Sequence, residues 1–264
     1  MPENNVSKYA KGWPWAGEQC ANRSRIKPYW YALRNPIPDI ITYCHKRDVS
    51  LRRILEVGCG GGDVGIRLGI YNMETYFVDA AFSALVSCRD NNKRLFRLPW
   101  MRQKKSVVLC QDMFHLGFKD AQFDLVVSLG VYEHLYEKES RMHFLRESMR
   151  VLKKGGCLFV CIPNNAHPLL SYWKKRRYLW LDKVANPDFY EIELSGEALK
   201  KELEDAGLCD VHFDGCYLWE FVARHPVTKP RRMLAFLLKA LVPEMTRSFR
   251  LKYALMLWAI GRKG

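Results

Sequence analysis

Apolar and polar positions along the chain follow two rhythms. Short apolar runs at Arg53–Glu56, Thr75–Asp79, Ser106–Cys110, Phe123–Leu129 and Cys157–Ile162 predict strands, and Val211–Trp219 and Ala254–Ile260 predict two more. Helical periodicity predicts helices over Val64–Ile70, Ala81–Asn91, Lys138–Leu152 and Ser195–Ala206, with a leading helix at Asp39–Arg47. Within Lys138–Leu152, Met142, Leu145, Met149 and Leu152 form a core-facing stripe, and Gly155-Gly156 is expected to stop the helix. Strands that alternate with helices imply parallel pairing through crossover helices, which places the chain in the α/β class.

The regular alternation is framed by less regular segments. Residues 1–50 read as an N-terminal extension rich in aromatics and proline, including Trp13-Pro14-Trp15 and Pro28-Tyr29-Trp30-Tyr31. Residues 51–264 read as one domain, interrupted by insertions at about 167–190 and 223–249. Connections of that length usually carry function or flexibility.

A chain of 264 residues with 48% hydrophobic content can bury a full core. No apolar stretch approaches the ~20 residues that span a bilayer, and the N-terminus lacks the layout of a signal peptide. These features predict a cytoplasmic protein. The nine cysteines are scattered, with no C-x-x-C pair and no zinc-ligand spacing, so they are expected to pack as reduced, small hydrophobes and no metal site is expected. Net charge is +14 and uneven. Arg224–Gly264 carries ten Lys/Arg against Glu244 alone, Arg89–Ser106 carries seven against Asp90, and Lys174–Arg177 forms a third cluster. Such a surface attracts anionic membranes, polyanions or acidic substrates, or is simply well solvated.

The most informative stretch is Glu56-Val57-Gly58-Cys59-Gly60-Gly61-Gly62, directly after Ile54-Leu55. Its glycines let backbone approach a ligand, since glycine has no Cβ and tolerates positive φ. A phosphate cradle favours positive charge, whereas Glu56 favours a cationic or amine-bearing ligand. Gly60-x-Gly62-x-x-Gly65 also satisfies the dinucleotide pattern, but its first glycine lies past the turn and Glu56 would stand against a pyrophosphate. Asp79 closes the second strand 21 residues after Gly58, where an acid can accept from both ribose hydroxyls. Asp112 follows the third strand; it can accept an adenine amine, with the Met113 N–H beside it, or serve as a turn cap.

The glycine stretch resembles motif I, E/D-x-G-x-G-x-G, of class I S-adenosylmethionine (SAM)-dependent methyltransferases. Phe123-Asp124-Leu125-Val126-Val127-Ser128-Leu129-Gly130-Val131-Tyr132-Glu133-His134-Leu135 is similar to the fourth-strand segment of the type 11, small-molecule branch of that family. Arg150–Gly156 and Ile162-Pro163-Asn164 match its fifth-strand region, so the resemblance covers about 54–164, with a weaker echo at Leu194–Gly207. It implies a Rossmann-like, seven-stranded, mostly parallel sheet whose last strand inserts antiparallel between the fifth and sixth. It also implies SAM as methyl donor, held by Glu56, Gly58, Cys59, Gly60, Gly62, Asp79, Ala80, Asp112, Met113, Ser128 and Leu129.

Methyl displacement depends on positioning, and a general base is needed only if the acceptor must lose a proton. His134 is the candidate on position, and the other reading makes it a residue that orients the loop. Tyr29 and Trp30 could close over a sulfonium or belong to a covering helix. Asn/Asp-Pro-Pro-Tyr and Pro-Cys motifs of nucleic-acid base methylation are absent after the fourth strand. The expected acceptor is therefore a small or lipid-like molecule. Lys229–Leu251, where basic and apolar residues interleave, is read as a pocket lid or as a helix lying on an anionic, inner membrane face. RNA methylation, and a SAM-fold binding protein without turnover, are the alternatives left open.

Overall fold

The computed structural model describes residues 36–96, 104–168, 191–217 and 246–264. The aromatic segment Trp13–Tyr31, the Lys174–Arg177 cluster and most of the Lys229–Leu251 stretch lie outside the described residues.

Each apolar run forms a strand. They are β1 (Arg53–Val57), β2 (Glu74–Asp79), β3 (Lys105–Cys110), β4 (Phe123–Leu129), β5 (Leu152–Pro163), β6 (Leu208–Cys216) and β7 (Met256–Lys263). The helices are α1 (Ile37–His45), α2 (Asp63–Gly69), α3 (Phe82–Leu95), α4 (Lys138–Val151), α5 (Gly196–Asp205) and α6 (Arg247–Tyr253). One sheet runs β3-β2-β1-β4-β5-β7-β6. Pairings from β3 through β5 are parallel, and β7 lies antiparallel to both β5 and β6. This is the Rossmann-like layout expected of the sequence.

The central strands are buried on both faces, which explains their nearly continuous apolar runs. On one face Leu55, Val57, Val126 and Leu158 pack with Phe144 and Leu145 of α4 and Leu199 and Leu203 of α5. On the other, Ile54, Leu125, Val127 and Phe159 pack with Val64 and Leu68 of α2 and with Ile37, Ile40 and Cys44 of α1. α1 is thus part of the sheet's packing, and the Tyr43 hydroxyl ties it to the Asp210 carbonyl at the β6 edge, 2.7 Å away.

Two local expectations change. α4 ends at Val151 and the chain enters β5 at Leu152 without an intervening loop, so Gly155-Gly156 lies inside the strand rather than stopping the helix. The last turn of α4 is capped from a distance instead: Lys263 Nζ donates to the Met149 and Leu152 carbonyls at 2.7 and 2.8 Å. The buried face of α4 is Arg141, Phe144, Leu145, Ser148 and Val151, with Met142 and Met149 at its margin.

Candidate active site

Strand order reverses between β1 and β4, the switch point beside whose strand carboxyl ends open α/β sheets bind their ligands. The β1 loop turns through three left-handed glycines, Gly58 (φ 65°), Gly60 (φ 49°) and Gly62 (φ 76°). At Gly58 a Cβ would lie 2.4 Å from Val131 Cγ2, so only glycine lets the β1 and β4 loops meet. Cys59 is buried, and its N–H donates to the Val78 carbonyl at 3.0 Å, fastening the loop to β2.

Glu56 lies under this loop and is only 2% exposed. Its carboxylate accepts from the Gly65 amide at 2.7 Å and the Val64 amide at 3.4 Å. The sequence reading turned Glu56 toward a ligand amine, but the structure turns it onto the first turn of α2. Helix N-termini present N–H groups without intrahelical partners, and a buried carboxylate needs donors. Burial pushes its pKa up to about 8, with Asp63 and Asp79 adding to the rise and the two amides opposing it.

Asp79 ends β2, with Oδ2 accepting from Gly60 N–H and Oδ1 from Ala81 N–H, both at 2.9 Å. Its pKa is raised by burial, against the pull of the Ala81, Gly60 and Ala80 amides. Asp112 follows β3, accepts from Phe114 N–H at 3.0 Å and lies 3.1 Å from His115 Nδ1. This is the turn-cap geometry weighed for it from sequence. A carboxylate accepts about four hydrogen bonds, so Asp79 and Asp112 both keep capacity for a ligand. Ala80 and Met113, the residues after these two strand ends, are partly buried.

On β4, Ser128 is fully buried and its Oγ has no partner among the described residues, while Leu129 packs toward the α2 face. Gly130 (φ 71°) then turns the chain into a short 3-10 helix, Tyr132–His134. His134 is mostly buried, with Nε2 3.9 Å from Glu133 Oε1. The Ile192 amide donates to the Glu133 carbonyl at 2.7 Å. The structure therefore brings the glycine loop, both strand-end aspartates, Ser128 and the His134 turn to one end of the sheet.

Sequence reasoning missed the residues that hold this end in place. Tyr132, Arg141 and Glu202 form a buried network behind the 3-10 turn. Helical spacing could have found two of them, because Arg141 shares a face with Phe144, Leu145 and Ser148, and Glu202 shares one with Leu199 and Leu203. Among the described residues, no group of three or more His, Cys, Asp or Glu could hold a metal ion. Their cysteines form no disulfide.

The donor set fits an adenosyl ligand: partly exposed carboxylates follow β2 and β3, a cradle that a Cβ would fill follows β1, and an orphaned hydroxyl ends β4. The fold and this site are those expected of a Rossmann-like methyltransferase. Residues 55–160 match the family described as a methyltransferase domain. A probable S-adenosylmethionine-dependent methyltransferase of Mycobacterium tuberculosis is 29% identical over 214 residues, covering 79% of this chain and 68% of that protein. The 27-O-demethylrifamycin SV methyltransferase of Amycolatopsis mediterranei is 30% identical over 118 residues, 43% of this chain and 41% of that one. The magnesium protoporphyrin IX methyltransferase of Synechocystis, solved with SAH bound, superposes with a TM-score of 0.60 at 12% identity, covering 99% of this chain and all of that one, a likeness of fold. These matches together support a class I SAM-dependent methyltransferase with SAM as its cofactor.

Proposed function

We propose that this enzyme methylates a small-molecule or lipid-like acceptor by direct displacement. The observation that carries the reading is the turn after β4: Gly130 turns the chain, Val131 meets the glycine loop, and the 3-10 helix Tyr132–His134 sets His134 at the same end of the sheet. That turn lacks the residues that hold a nucleobase in base-modifying enzymes. The rifamycin relative, named for methylating 27-O-demethylrifamycin SV, supports the same class of acceptor.

Bound SAM supplies a methyl group on a sulfonium, open to in-line attack. The chain's own residues do the rest. Backbone at Gly58, Cys59, Gly60 and Gly62 borders the methionyl end, with Ser128 and Leu129 beside it. Asp79, followed by Ala80, accepts from ribose hydroxyls, and Asp112 with Met113 reads the adenine edge. Glu56 keeps the glycine loop in its left-handed shape from below. His134 takes the proton from an acceptor hydroxyl or amine as that atom attacks, and the buried Glu133 beside it favours the resulting imidazolium.

An apolar acceptor would be met at a membrane, and we place the basic C-terminal region on an anionic surface. α6 supports this, since Arg247, Lys252 and Tyr253 are all exposed on it. No helix among the described residues is long and apolar enough to cross a membrane.

Labelled SAM incubated with fractionated cell extract tests the proposal. Label is expected in lipid or soluble metabolite fractions, and label confined to RNA would overturn it. Co-sedimentation with anionic liposomes, lost at high salt, is the expected result for the membrane contact; no sedimentation at low salt would refute it.

A further inference from the structure

The turn that carries His134 is gripped from behind. Tyr132 is fully buried, and its hydroxyl donates to Glu202 Oε2 at 2.5 Å. The same carboxylate receives Arg141 in fork geometry, Nη2 to Oε1 at 2.7 Å and Nε to Oε2 at 2.9 Å. Arg141 Nη1 then donates to two successive carbonyls, Leu135 at 3.0 Å and Tyr136 at 2.8 Å. Arg141 and Glu202 are both buried.

We propose that Arg141 and Glu202 are positioning residues for methyl transfer, a buried ion pair that sets the 130–136 loop and so aims His134 at the acceptor. The geometry brackets the histidine. The Tyr132 hydroxyl fixes the loop where it enters the 3-10 turn, and the guanidinium fixes it at Leu135 and Tyr136, where it leaves. His134 lies between the two anchors with little backbone freedom.

Three elements meet in this network: the loop, α4 through Arg141 directly after it, and α5 through Glu202, 61 residues further on. Glu202 lies well beyond the matched domain residues 55–160, so the carboxyl-terminal half of the chain shapes the acceptor side of the site. Arginine suits the task because its planar fork binds a carboxylate bidentately and still has donors for the backbone. A buried pair of this kind is weak evidence for stability, since well-packed apolar residues often serve as well. Its directional donors specify one loop conformation, which apolar packing does less sharply. Burial alone would raise Glu202, yet Arg141 and Tyr132 hold it below the usual carboxylate range, so the pair stays ionised.

The inference rests on the reading of the His134 turn as the wall facing the acceptor. Its test uses the full chain with Tyr132→Phe, Glu202→Gln and Arg141→Lys. Tyr132→Phe keeps the buried ring and removes only the hydroxyl, so it reports even where the other two fail to fold. Amide hydrogen exchange of residues 130–136 should speed up about tenfold or more relative to β1 and β4 in Tyr132→Phe and Glu202→Gln. SAM affinity by calorimetry should stay within about threefold. Turnover of the labelled methyl into extract should fall about tenfold, with a displaced pH profile, and Arg141→Lys should recover part of it relative to Arg141→Ala. Exchange that rises equally across the sheet, an unchanged loop, or SAM affinity falling in step with turnover would each overturn the proposal. An extract that the unaltered enzyme fails to methylate would count against the acceptor reading alone, because loop exchange still decides the positioning role.

Discussion

The Gly65 amide stands 2.7 Å from Glu56 Oε2, and a Cβ on Gly65 would meet that same oxygen at 2.7 Å and Phe77 Cε1 at 2.7 Å. A buried acid at the end of β1 thus receives the start of α2 so closely that only glycine fits between them. Cofactor loop, helix and strand are joined at this contact.

Glu56 should make stability depend on pH. Its folded pKa, about 8, lies above the ordinary value of 4.5, so the native state holds a proton that the unfolded chain releases. The stabilisation is fully present below the unfolded value and is lost as pH rises through about 8. Urea titrations of the unaltered protein should lose on the order of a few kcal/mol relative to Glu56→Gln between pH ~5 and pH ~9. Parallel pH curves for the two would show that Glu56 is not the group responsible.

Gly58→Ala should damage the cofactor loop twice over. The left-handed backbone costs a non-glycine residue about 1–2 kcal/mol, and the new methyl runs into Val131. SAM affinity is expected to drop by more than about tenfold in calorimetry. Adding Val131→Ala should restore part of the loss, whereas additive losses would mean that the two loops do not touch. Gly61→Ala, with no positive φ, should be far milder.

Asp79→Asn puts an amide where one oxygen now accepts from Gly60 or Ala81. A donor set against a donor costs about 1–3 kcal/mol. SAM binding should weaken about 10- to 100-fold, and calorimetry decides the matter. Unchanged affinity would remove Asp79 from the cofactor site.

Asn164 is fully buried, and its side chain holds three backbone groups: Nδ2 donates to the Leu251 and Ala254 carbonyls, both at 2.8 Å, and Oδ1 accepts from Ala166 N–H at 3.1 Å. It ties the end of β5 to the turn between α6 and β7. Asn164→Ala should cost about 2–4 kcal/mol in equilibrium unfolding, since it orphans buried carbonyls. A loss below about 1 kcal/mol would show that packing alone holds the turn.

The pattern of residues was enough for the strands and the glycine turn because both are local in origin. A two-faced apolar run such as Phe123–Leu129 can be satisfied only inside a covered sheet, and Gly58, Gly60 and Gly62 announce a left-handed turn whatever surrounds them. Asp79 and Asp112 could be placed because a strand's end and the helix or turn that follows are contiguous in sequence. Helical spacing puts Arg141 and Glu202 on the buried faces of their helices, but it says nothing of what each meets there. Their partners lie 61 residues apart, and nothing in the local pattern pairs them.

The same distinction separates the acid of Glu56 from its direction. The chain determined that a carboxylate would close β1 beside a glycine turn, and from this it determined the cofactor. Only the tertiary structure decided that this carboxylate faces the amides of α2, that Lys263 rather than a glycine pair finishes α4, and that the His134 turn is held from α4 and α5. A strand or a glycine turn is set by neighbours along the chain, whereas the direction of a buried polar group is set by whichever unpaired donor the folded chain brings within reach.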